Sequence, residues 1–211
     1  MSNNVQLITL GCKVNQAESE ALAACCRGAN RPDTDRDLCI INTCAVTQKA
    51  EMQSRQAVRK AIRNNPNASV VVTGCYAQRD PAAFAKITGV DYVIGQAHKH
   101  RIPEIVNRKN KDPLFARNYR NTGPAVSHSD ISGYRHFDEI AAPPVSPRTR
   151  PFLKIQDGCD AFCTYCIVPY TRGRSRSLPP ADAVCAFSGL VSAGAPEIVL
   201  SGIHIGRYGA D

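Results

Sequence analysis

The sequence contains no apolar run that approaches the roughly 20 residues needed to cross a bilayer. Its start, Met-Ser-Asn-Asn-Val-Gln, has neither the basic segment nor the apolar segment of a secretory signal peptide. Internal repeats and low-complexity segments are absent as well. These absences argue against a membrane-spanning, secreted or repeat protein, and they predict a cytoplasmic protein without a membrane partner.

The charge content is low but unbalanced. Charged residues make up 21% of the chain against 43% hydrophobic residues, which is typical of a folded globular protein and not of a disordered one. The 26 Lys and Arg against 18 Asp and Glu give a net charge of +8. A basic balance favours a polyanionic partner such as RNA, although many basic proteins bind no polyanion.

The first hundred residues alternate short runs rich in Val and Ile with helical stretches. The predicted helices cover residues 15–26, where Asn15 can be the N-cap, and 48–62. The predicted strands cover residues 5–10, 38–41, 70–73 and 92–94. This alternation predicts an α/β domain with an open, doubly wound parallel sheet over residues 1–106.

The alternation ends at residue 107. Residues 107–150 hold eight Lys or Arg against four Asp or Glu and end in the Pro-rich sequence AAPPVSPRTR. They predict a basic linker or, in part, surface loops of the first domain. A second unit, 151–211, is predicted to contain a strand at 152–156, a helix at 181–192 and a strand at 197–203. Two strands and one helix cannot close a sheet around a core.

Ten cysteines in a chain without a secretion signal indicate metal ligands or catalytic groups, because cytosolic thiols stay reduced. Cys159, Cys163 and Cys166 form a CxxxCxxC motif directly after a predicted strand. Three thiolates in one tight loop can hold three irons of a 4Fe–4S cluster and leave the fourth iron open to S-adenosylmethionine. The alternative is a zinc site, for which the next possible ligands are Cys185 and His204.

A second set consists of Cys12, Cys44 and Cys75, each of which follows a predicted strand. Because the carboxyl ends of parallel strands open on one edge of the sheet, we expect the three sulfurs to converge there and to form a second metal site. The alternative is three unrelated buried thiols. The other four cysteines are interpreted as structural: Cys25, Cys26, Cys39 and Cys185.

Several residues near the CxxxCxxC motif are candidates for further roles. Tyr165 can pack against an adenine or simply belong to the core. The three arginines of the loop that follows can bind phosphate or a carboxylate of S-adenosylmethionine, or they can be solvated or paired in salt bridges. These are Arg172, Arg174 and Arg176.

The sequence resembles the methylthiotransferases, a radical S-adenosylmethionine family with an N-terminal cluster domain, a partial (β/α) barrel and a C-terminal RNA-binding domain. The resemblance rests on TLGCKVNQ at 9–16, NTC at 42–44, TGCYAQ at 73–78, QDGCDAFCTYC at 156–166, PYTRGR at 169–174 and EIVLSGIHIGRYG at 197–209. The segments at 11–16 and 202–206 are similar to the branch that acts on threonylcarbamoyladenosine beside the tRNA anticodon.

The resemblance implies two 4Fe–4S clusters, S-adenosylmethionine, tRNA as substrate and an unidentified electron donor. It implies that Cys159, Cys163 and Cys166 serve the cleavage of S-adenosylmethionine to a radical that abstracts hydrogen from carbon 2 of adenine. The other cysteine set would carry the sulfur. Tyr165 would contact the adenine of S-adenosylmethionine, and Ser201 and Gly202 its amino group. No catalytic residue is expected beyond the cluster ligands.

The expected function is therefore methylthiolation of threonylcarbamoyladenosine by a monomer. The alternatives are the same chemistry on isopentenyl-adenosine or on a ribosomal protein, or a truncated iron–sulfur or zinc module that binds RNA without turnover. Residues 151–211 correspond to the start of the family's barrel, so we expect residues 1–211 alone not to turn over. Proteolysis should leave a core that ends between about Ile102 and the Pro143-Pro144 pair.

Overall fold

A computed structural model describes residues 4–28, 37–107, 123–138, 140 and 148–211. Its main element is a sheet of five parallel strands in the order β1-β2-β3-β4-β5. The strands are β1 (Val5–Thr9), β2 (Leu38–Thr43), β3 (Ser69–Gly74), β4 (Tyr92–Ile94) and β5 (Ala125–Ser127). Strand β2 is buried along its whole length, as expected for an inner strand of a parallel sheet that is covered on both faces.

Helices cover both faces of this sheet. The helices are α1 (Lys13–Gly28), α2 (Gln48–Asn64), α3 (Cys75–Arg79), α4 (Pro81–Ala85) and α5 (Ile102–Asn107), and a 3₁₀ turn, Gln96–Arg101, precedes α5. Leu38 and Ile40 of β2 pack with α1 and α5, whereas Cys39 and Ile41 pack with α2 and α4. The alternation of β2 side chains between two apolar clusters confirms the prediction of a doubly wound α/β domain.

Two local details differ from the sequence prediction. Helix α1 begins at Lys13, so Asn15 lies inside the first turn and its side chain does not cap the helix. Strand β5 falls within the predicted linker, 107–150, whose composition is basic and Pro-rich. In the structure β5 pairs with β4, and His128 just after it lies 2.9 Å (Nε2) from the carbonyl oxygen of Gln78. Residues 123–138 thus complete the sheet domain.

The second unit is smaller. Strand β6 (Phe152–Lys154) pairs in parallel with β9 (Val199–Ser201), and β7 (Gln156–Asp157) pairs antiparallel with β8 (Arg176–Ser177). Helix α6 (Val168–Arg172) lies between β7 and β8, and α7 (Pro180–Ser192) lies between β8 and β9. Helix α7 has no buried residue and exposes Val184, Phe187 and Val191. Strands β6 and β9 are each three residues long, so they are shorter than the strands predicted at 152–156 and 197–203.

The two units are in contact through short elements. Helix α6 packs on α3, and β6 packs on α1. The remaining parts of the predicted linker, 108–122 and 141–147 with Pro143 and Pro144, lie outside the described residues. A search of the described ranges found no helix with the length and apolar character that a membrane span requires.

Candidate functional site

The first cysteine set lies at the carboxyl edge of the sheet. Cys12 follows β1 by three residues, Cys44 directly follows β2, and Cys75 is the first residue of α3 directly after β3. Strands β1, β2 and β3 are neighbours, and Thr43 pairs with Gly74. Cys44 and Cys75 are buried, whereas Cys12 is exposed. The strand register thus brings the three thiols to one edge, with one of them open to solvent.

Two glycines allow the backbone to come close to these thiols. A Cβ on Gly11 would lie 3.0 Å from the Sγ of Cys44. Gly74 has a φ of 100°, and a Cβ there would collide with the carbonyl oxygen of Thr43. Burial raises the pKa of the Cys44 thiol, and the neighbouring Cys75 and Cys12 add to this rise by charge repulsion. Gly11 and Gly74 therefore let the segments that precede Cys12 and Cys75 pack closely against Thr43 and Cys44.

Asn15 braces the loops that carry two of these cysteines. Its Nδ2 donates hydrogen bonds to the carbonyl oxygen of Leu10 at 2.8 Å and to that of Thr43 at 3.2 Å. Leu10 lies two residues before Cys12, and Thr43 lies directly before Cys44. One buried side-chain amide therefore fixes the backbone on which both thiols depend, which explains why Asn15 is placed inside the helix instead of capping it.

Cys75 has a polar neighbour from the 3₁₀ turn. The Nε2 of Gln96 donates to the Sγ of Cys75 at 3.4 Å. Gln96 is itself held, because its backbone N–H donates to the Oε1 of Gln78 at 2.8 Å. A donor of this kind stabilises a thiolate more than a thiol, so the surroundings of Cys75 suit a metal ligand.

The second cysteine set lies in the loop between β7 and α6. The backbone N–H of Cys159 donates to the carbonyl oxygen of Gly173 at 3.0 Å, and that of Cys166 donates to the carbonyl oxygen of Cys163 at 2.9 Å. Phe162 has a φ of 46°, a left-handed conformation that is rare for an aromatic residue. Cys163 is exposed, and the other two are partly exposed. The loop is tightly wound and presents its thiols near the surface.

His204 lies next to this loop. Its Nδ1 is 3.6 Å from the Sγ of Cys159. His204 also lines a small open pocket, whose other lining residues are Asp160, Ala161, Ser175, Arg207 and Ala210. Of the two alternative zinc ligands considered from the sequence, His204 is the one near Cys159, whereas Cys185 lies exposed on α7.

The residues expected to contact S-adenosylmethionine occupy different environments. Tyr165 is 90% exposed, so it does not belong to the core. Ser201 is buried at the end of β9. A Cβ on Gly202 would lie 2.9 Å from the Oε1 of Gln156, and this oxygen accepts a hydrogen bond from the backbone N–H of His204 at 2.8 Å. Gly202 therefore allows the chain after β9 to pass close to β7, beside the cysteine loop.

A buried charge network lies between the two cysteine sets. At its centre is Arg172, the last residue of α6, which is 1% exposed. Its Nη1 lies 2.7 Å from Asp157 of β7 and 3.1 Å from Glu18 of α1. Its Nη2 contacts Glu18 at 3.2 Å and also donates to the Oδ1 of Asn15. The guanidinium thus links the second unit to the residue that braces the Cys12 and Cys44 loops.

Two lysines complete the network. Lys99 of the 3₁₀ turn contacts Glu18 at 2.6 Å, and Lys154 of β6 contacts Glu18 at 3.1 Å. Burial alone would raise the pKa of Glu18, but Arg172 and the two lysines hold this pKa well below its usual value. Burial would lower the pKa of Arg172, whereas Asp157 and Glu18, and more weakly Cys75 and Cys12, hold it well above its usual value. Arg172 is therefore held in its charged form by its two carboxylate partners.

This network resolves the roles that the sequence left open for the three arginines. Arg172 and Arg176 are buried and paired with Asp157, so they are salt-bridge partners and not solvated charges. Arg174 is exposed, lies 3.3 Å from Asp160 and stacks over the ring of Phe162. Glu18 was not predicted as a site residue, because it stands among polar residues of α1, including Gln16 and Glu20, and no local pattern marks it as buried.

The other cysteines are separate from both sets. Cys39 lies inside β2, where burial raises its pKa to about 11, and its Sγ is 3.8 Å from the Oε1 of Gln6. Cys25 and Cys26 lie near the end of α1. Cys185 is exposed on α7. None of the four is at the carboxyl edge of the sheet or in the CxxxCxxC loop.

Among the described residues, no three Cys, His, Asp or Glu side chains are gathered tightly enough to form a ready-made metal site. The chemistry of the donors nevertheless fits iron–sulfur clusters, because each set offers three thiols and no fourth protein ligand of the same kind. Arg172 and Lys99 both interact electrostatically with Cys75, which would balance thiolate charge. The first set therefore fits a cluster, and the second set fits a cluster or, with His204, a zinc ion.

Comparison with known proteins gives two results. The family described as Uncharacterized protein family UPF0004 matches residues 4–95, which cover β1 to β4 and the first cysteine set. The chain is 41% identical over 207 residues to threonylcarbamoyladenosine tRNA methylthiotransferase MtaB of Bacillus subtilis, covering 96% of this chain and 44% of the relative. It is 36% identical to the protein of the same name from Rickettsia prowazekii, over 100% of this chain and 46% of the relative.

A second group of relatives is less similar. The tRNA-2-methylthio-N(6)-dimethylallyladenosine synthase of Syntrophus aciditrophicus is 29% identical over 219 residues, covering 97% of this chain and 44% of the relative. In all these alignments the chain spans about half the length of the curated relatives it matches.

Proposed function

We propose that the chain belongs to the methylthiotransferase family and is part of a tRNA methylthiotransferase that acts on threonylcarbamoyladenosine. The methylthio group would be added to carbon 2 of the adenine. Relatives named for threonylcarbamoyladenosine are 35–41% identical to the chain. Relatives named for dimethylallyladenosine are 29–30% identical, which favours the first substrate.

Each cysteine set would hold one 4Fe–4S cluster. Cys12, Cys44 and Cys75 are the ligands at the sheet edge, and Cys159, Cys163 and Cys166 are the ligands in the loop after β7. Bound clusters together with S-adenosylmethionine supply radical and sulfur-transfer chemistry. The proposal is supported by the place of the first three thiols on adjacent strand ends, because three thiols without a fourth would hold three irons of a 4Fe–4S cluster and would leave one iron free for another ligand.

The protein's own residues would position these two sites relative to each other. Arg172 holds Asn15, which in turn holds the carbonyl oxygens of Leu10 and Thr43. The next residue, Gly173, accepts a hydrogen bond from the backbone N–H of Cys159. One arginine is thus connected by short hydrogen-bonded paths to the backbone of three of the six ligands. We assign Arg172 as a positioning residue on this ground.

The binding site for S-adenosylmethionine would be formed by the CxxxCxxC loop and by the end of β9. Tyr165 is free to pack on an adenine because it is almost fully exposed. Gly202 and Ser201 lie where β9 passes Gln156, next to the pocket that His204 lines. These residues would orient the ligand, and Arg174, held by Asp160, would stay on the rim.

Nucleoside analysis tests the proposed substrate. The chain, together with any sequence that follows it in its gene, is expressed in a bacterial host that lacks methylthiolation of threonylcarbamoyladenosine. We expect 2-methylthio-threonylcarbamoyladenosine in hydrolysed tRNA, and its loss when Cys12 or Cys163 is replaced by alanine. Methylthiolated isopentenyl-adenosine would assign the protein to the neighbouring substrate. Unmodified tRNA with normal protein levels would contradict the proposal.

A zinc module is the alternative that has a specific observation in its favour, namely the proximity of His204 to Cys159. Anaerobic reconstitution followed by iron, sulfide and zinc analysis separates the two. We expect about four irons per three-cysteine set, as a 4Fe–4S cluster requires, and no change in iron content for His204→Ala. Stoichiometric zinc that is lost in His204→Ala would establish the zinc site instead.

A further inference from the structure

Helix α2 starts close to the first cysteine set and extends away from it. It begins at Gln48, four residues after Cys44, and its 17 residues give it a length of roughly 25 Å. Only Ser54, Val58 and Ala61 of this helix are buried. The opposite face is therefore a long surface that leads from the edge of the first site along the side of the sheet domain.

This outer face is basic. Lys49, Gln53, Gln56, Lys60 and Arg63 follow one another at intervals of three or four residues, so they form a single stripe along the helix. Arg59 flanks the stripe. All six side chains are exposed. The only acidic residue of α2, Glu51, is mostly buried and paired with Arg79, so it lies off the stripe. We call these six residues the α2 stripe.

In the part of the chain that the structure describes, several cations are paired with carboxylates, whereas the cations of the α2 stripe are not. Lys99, Lys154 and Arg172 are neutralised in the buried network. Arg55, on the same helix but half-buried, donates to the hydroxyl of Tyr76 and stacks on its ring. Within the described ranges, Lys49, Arg59, Lys60 and Arg63 have no carboxylate within salt-bridge distance. Their positive charge is therefore available to a ligand.

The spacing and the composition of the α2 stripe favour a polyanion as its ligand. Side chains three and four positions apart on a helix are separated by about 5–6 Å, which allows successive cations to reach successive phosphates. A membrane surface is a poor fit, because the apolar side of α2 is already buried against the sheet and cannot enter lipid. The glutamines at 53 and 56 can donate to phosphate or ribose oxygens.

We infer that the α2 stripe is a docking surface for an RNA backbone and guides the substrate strand toward the first cysteine set. This inference rests on the proposed function, because it assigns the stripe to the same tRNA substrate. Lys13, which is exposed directly after Cys12, and Lys49 place positive charge at the edge where that strand would arrive. The contacts would be to phosphates, so they would bind without regard to base sequence.

Binding measurements on the chain test this surface without any turnover. Fluorescence anisotropy with a labelled tRNA transcript is measured from 50 to 300 mM salt for the parent chain and two triple variants. The stripe variant is Lys49→Gln/Lys60→Gln/Arg63→Gln. The control variant, Arg27→Gln/Lys86→Gln/Arg135→Gln, removes the same charge from exposed positions elsewhere. Circular dichroism verifies that both variants keep the parent fold.

We expect the stripe variant to bind tRNA at least tenfold more weakly at 150 mM salt. Its slope of log K against log salt should fall by about two, since each lost phosphate contact removes about 0.7–0.9 from the slope. The control variant should change the slope by less than one. Equal losses in both variants, no loss in the stripe variant, or stronger binding to polyglutamate than to RNA would each overturn the inference.

The result is separable from the proposed function. If nucleoside analysis detects the methylthiolated product but the stripe variant binds tRNA like the parent, the docking surface is wrong and the proposed function stands. If the stripe binds RNA as expected but no methylthiolated nucleoside forms, the proposed function fails and the surface remains.

Discussion

Arg172 and Asn15 are hydrogen-bonded to each other in the protein interior although 157 positions separate them along the chain. Asn15 braces the backbone before Cys12 and Cys44, and Arg172 ends the helix that follows the loop of the other three cysteines. Neither residue is part of a cysteine motif. Their contact nevertheless links the backbones of the two candidate sites through one buried guanidinium.

Replacing this guanidinium should destabilise the chain strongly. Arg172→Met leaves Glu18 and Asp157 with less positive charge inside the protein, and removal of one partner from a buried ion pair costs about 3–5 kcal/mol. Arg174→Met is the matched control, because its pair with Asp160 is exposed and should contribute about 1 kcal/mol or less. Urea unfolding of the two variants measures the difference. Similar midpoints for both would show that the buried network does not stabilise the chain.

A conservative variant distinguishes positioning from stability alone. Arg172→Lys keeps the charge but cannot donate to Asn15, Glu18 and Asp157 simultaneously, because an ammonium lacks the planar fork. We expect it to recover part of the stability lost in Arg172→Met. With one spin label on each unit, the distribution of label-to-label distances in Arg172→Lys should still be broader than in the parent chain. Parent-like distances in Arg172→Lys would leave Arg172 with a purely electrostatic role.

Much of the fold could be predicted from the sequence, because the patterns that indicate strands and helices lie within each element. Strands β1 to β4 are runs of Val and Ile, and the three strand-end cysteines follow from the regular alternation of strands and helices. Strand β5 was not predictable, since its three residues carry no apolar pattern and form a strand only by pairing with β4. Tertiary pairing of this kind overrides local propensity.

The charge network was also beyond sequence reasoning. Glu18 lies on a helix and Lys99 in a 3₁₀ turn, and nothing in the spacing of 81 positions indicates that their side chains meet. The three arginines of the 172–176 segment are regularly spaced, yet the side chain of Arg174 is exposed and the other two are buried. Burial of a charge depends on which partners the fold supplies, and only the structure contains that information.

The stability of the chain should fall in acid because of Glu18. Its pKa is held well below 4.5 in the folded protein, against an ordinary value when unfolded. A carboxyl with a depressed folded pKa stabilises the protein above its unfolded pKa, and this contribution is lost as the pH falls through about 4 toward the folded value. Urea midpoints of the metal-free chain between pH 6 and pH 3 should decrease. The urea midpoint of Glu18→Gln should be lower than that of the parent chain at pH 6 and should change less with pH. If the midpoints of the two proteins fall in parallel, the acid sensitivity does not come from Glu18.

Thiol footprinting should identify the ligand sets among the ten cysteines. In the reduced, metal-free chain the exposed Cys12, Cys163 and Cys185 should react with iodoacetamide first. After anaerobic reconstitution with iron and sulfide, Cys12 and Cys163 should be protected, whereas Cys185 should stay reactive and serves as the internal control. Mass spectrometry of peptides measures each site. Protection of Cys185, or continued labelling of Cys12, would exclude the assigned ligands.

Gly74 should tolerate no side chain, because it both lies next to the first site and adopts a conformation that L-residues avoid. Its φ of 100° and ψ of −171° belong to a region that is essentially restricted to glycine. A methyl group would also collide with the backbone of Thr43, directly before Cys44. Gly194 is the matched control, since its φ is 89° but a Cβ there would meet no atom within 4 Å.

Gly194→Ala should lower the free energy of unfolding by about 1–2 kcal/mol through backbone strain alone. Gly74→Ala should cost clearly more in urea unfolding and should also lower the iron bound at the first site while leaving the second site loaded. If both substitutions cost the same and iron binding is unchanged, the close approach of the Cys44 and Cys75 loops is not needed to form the site.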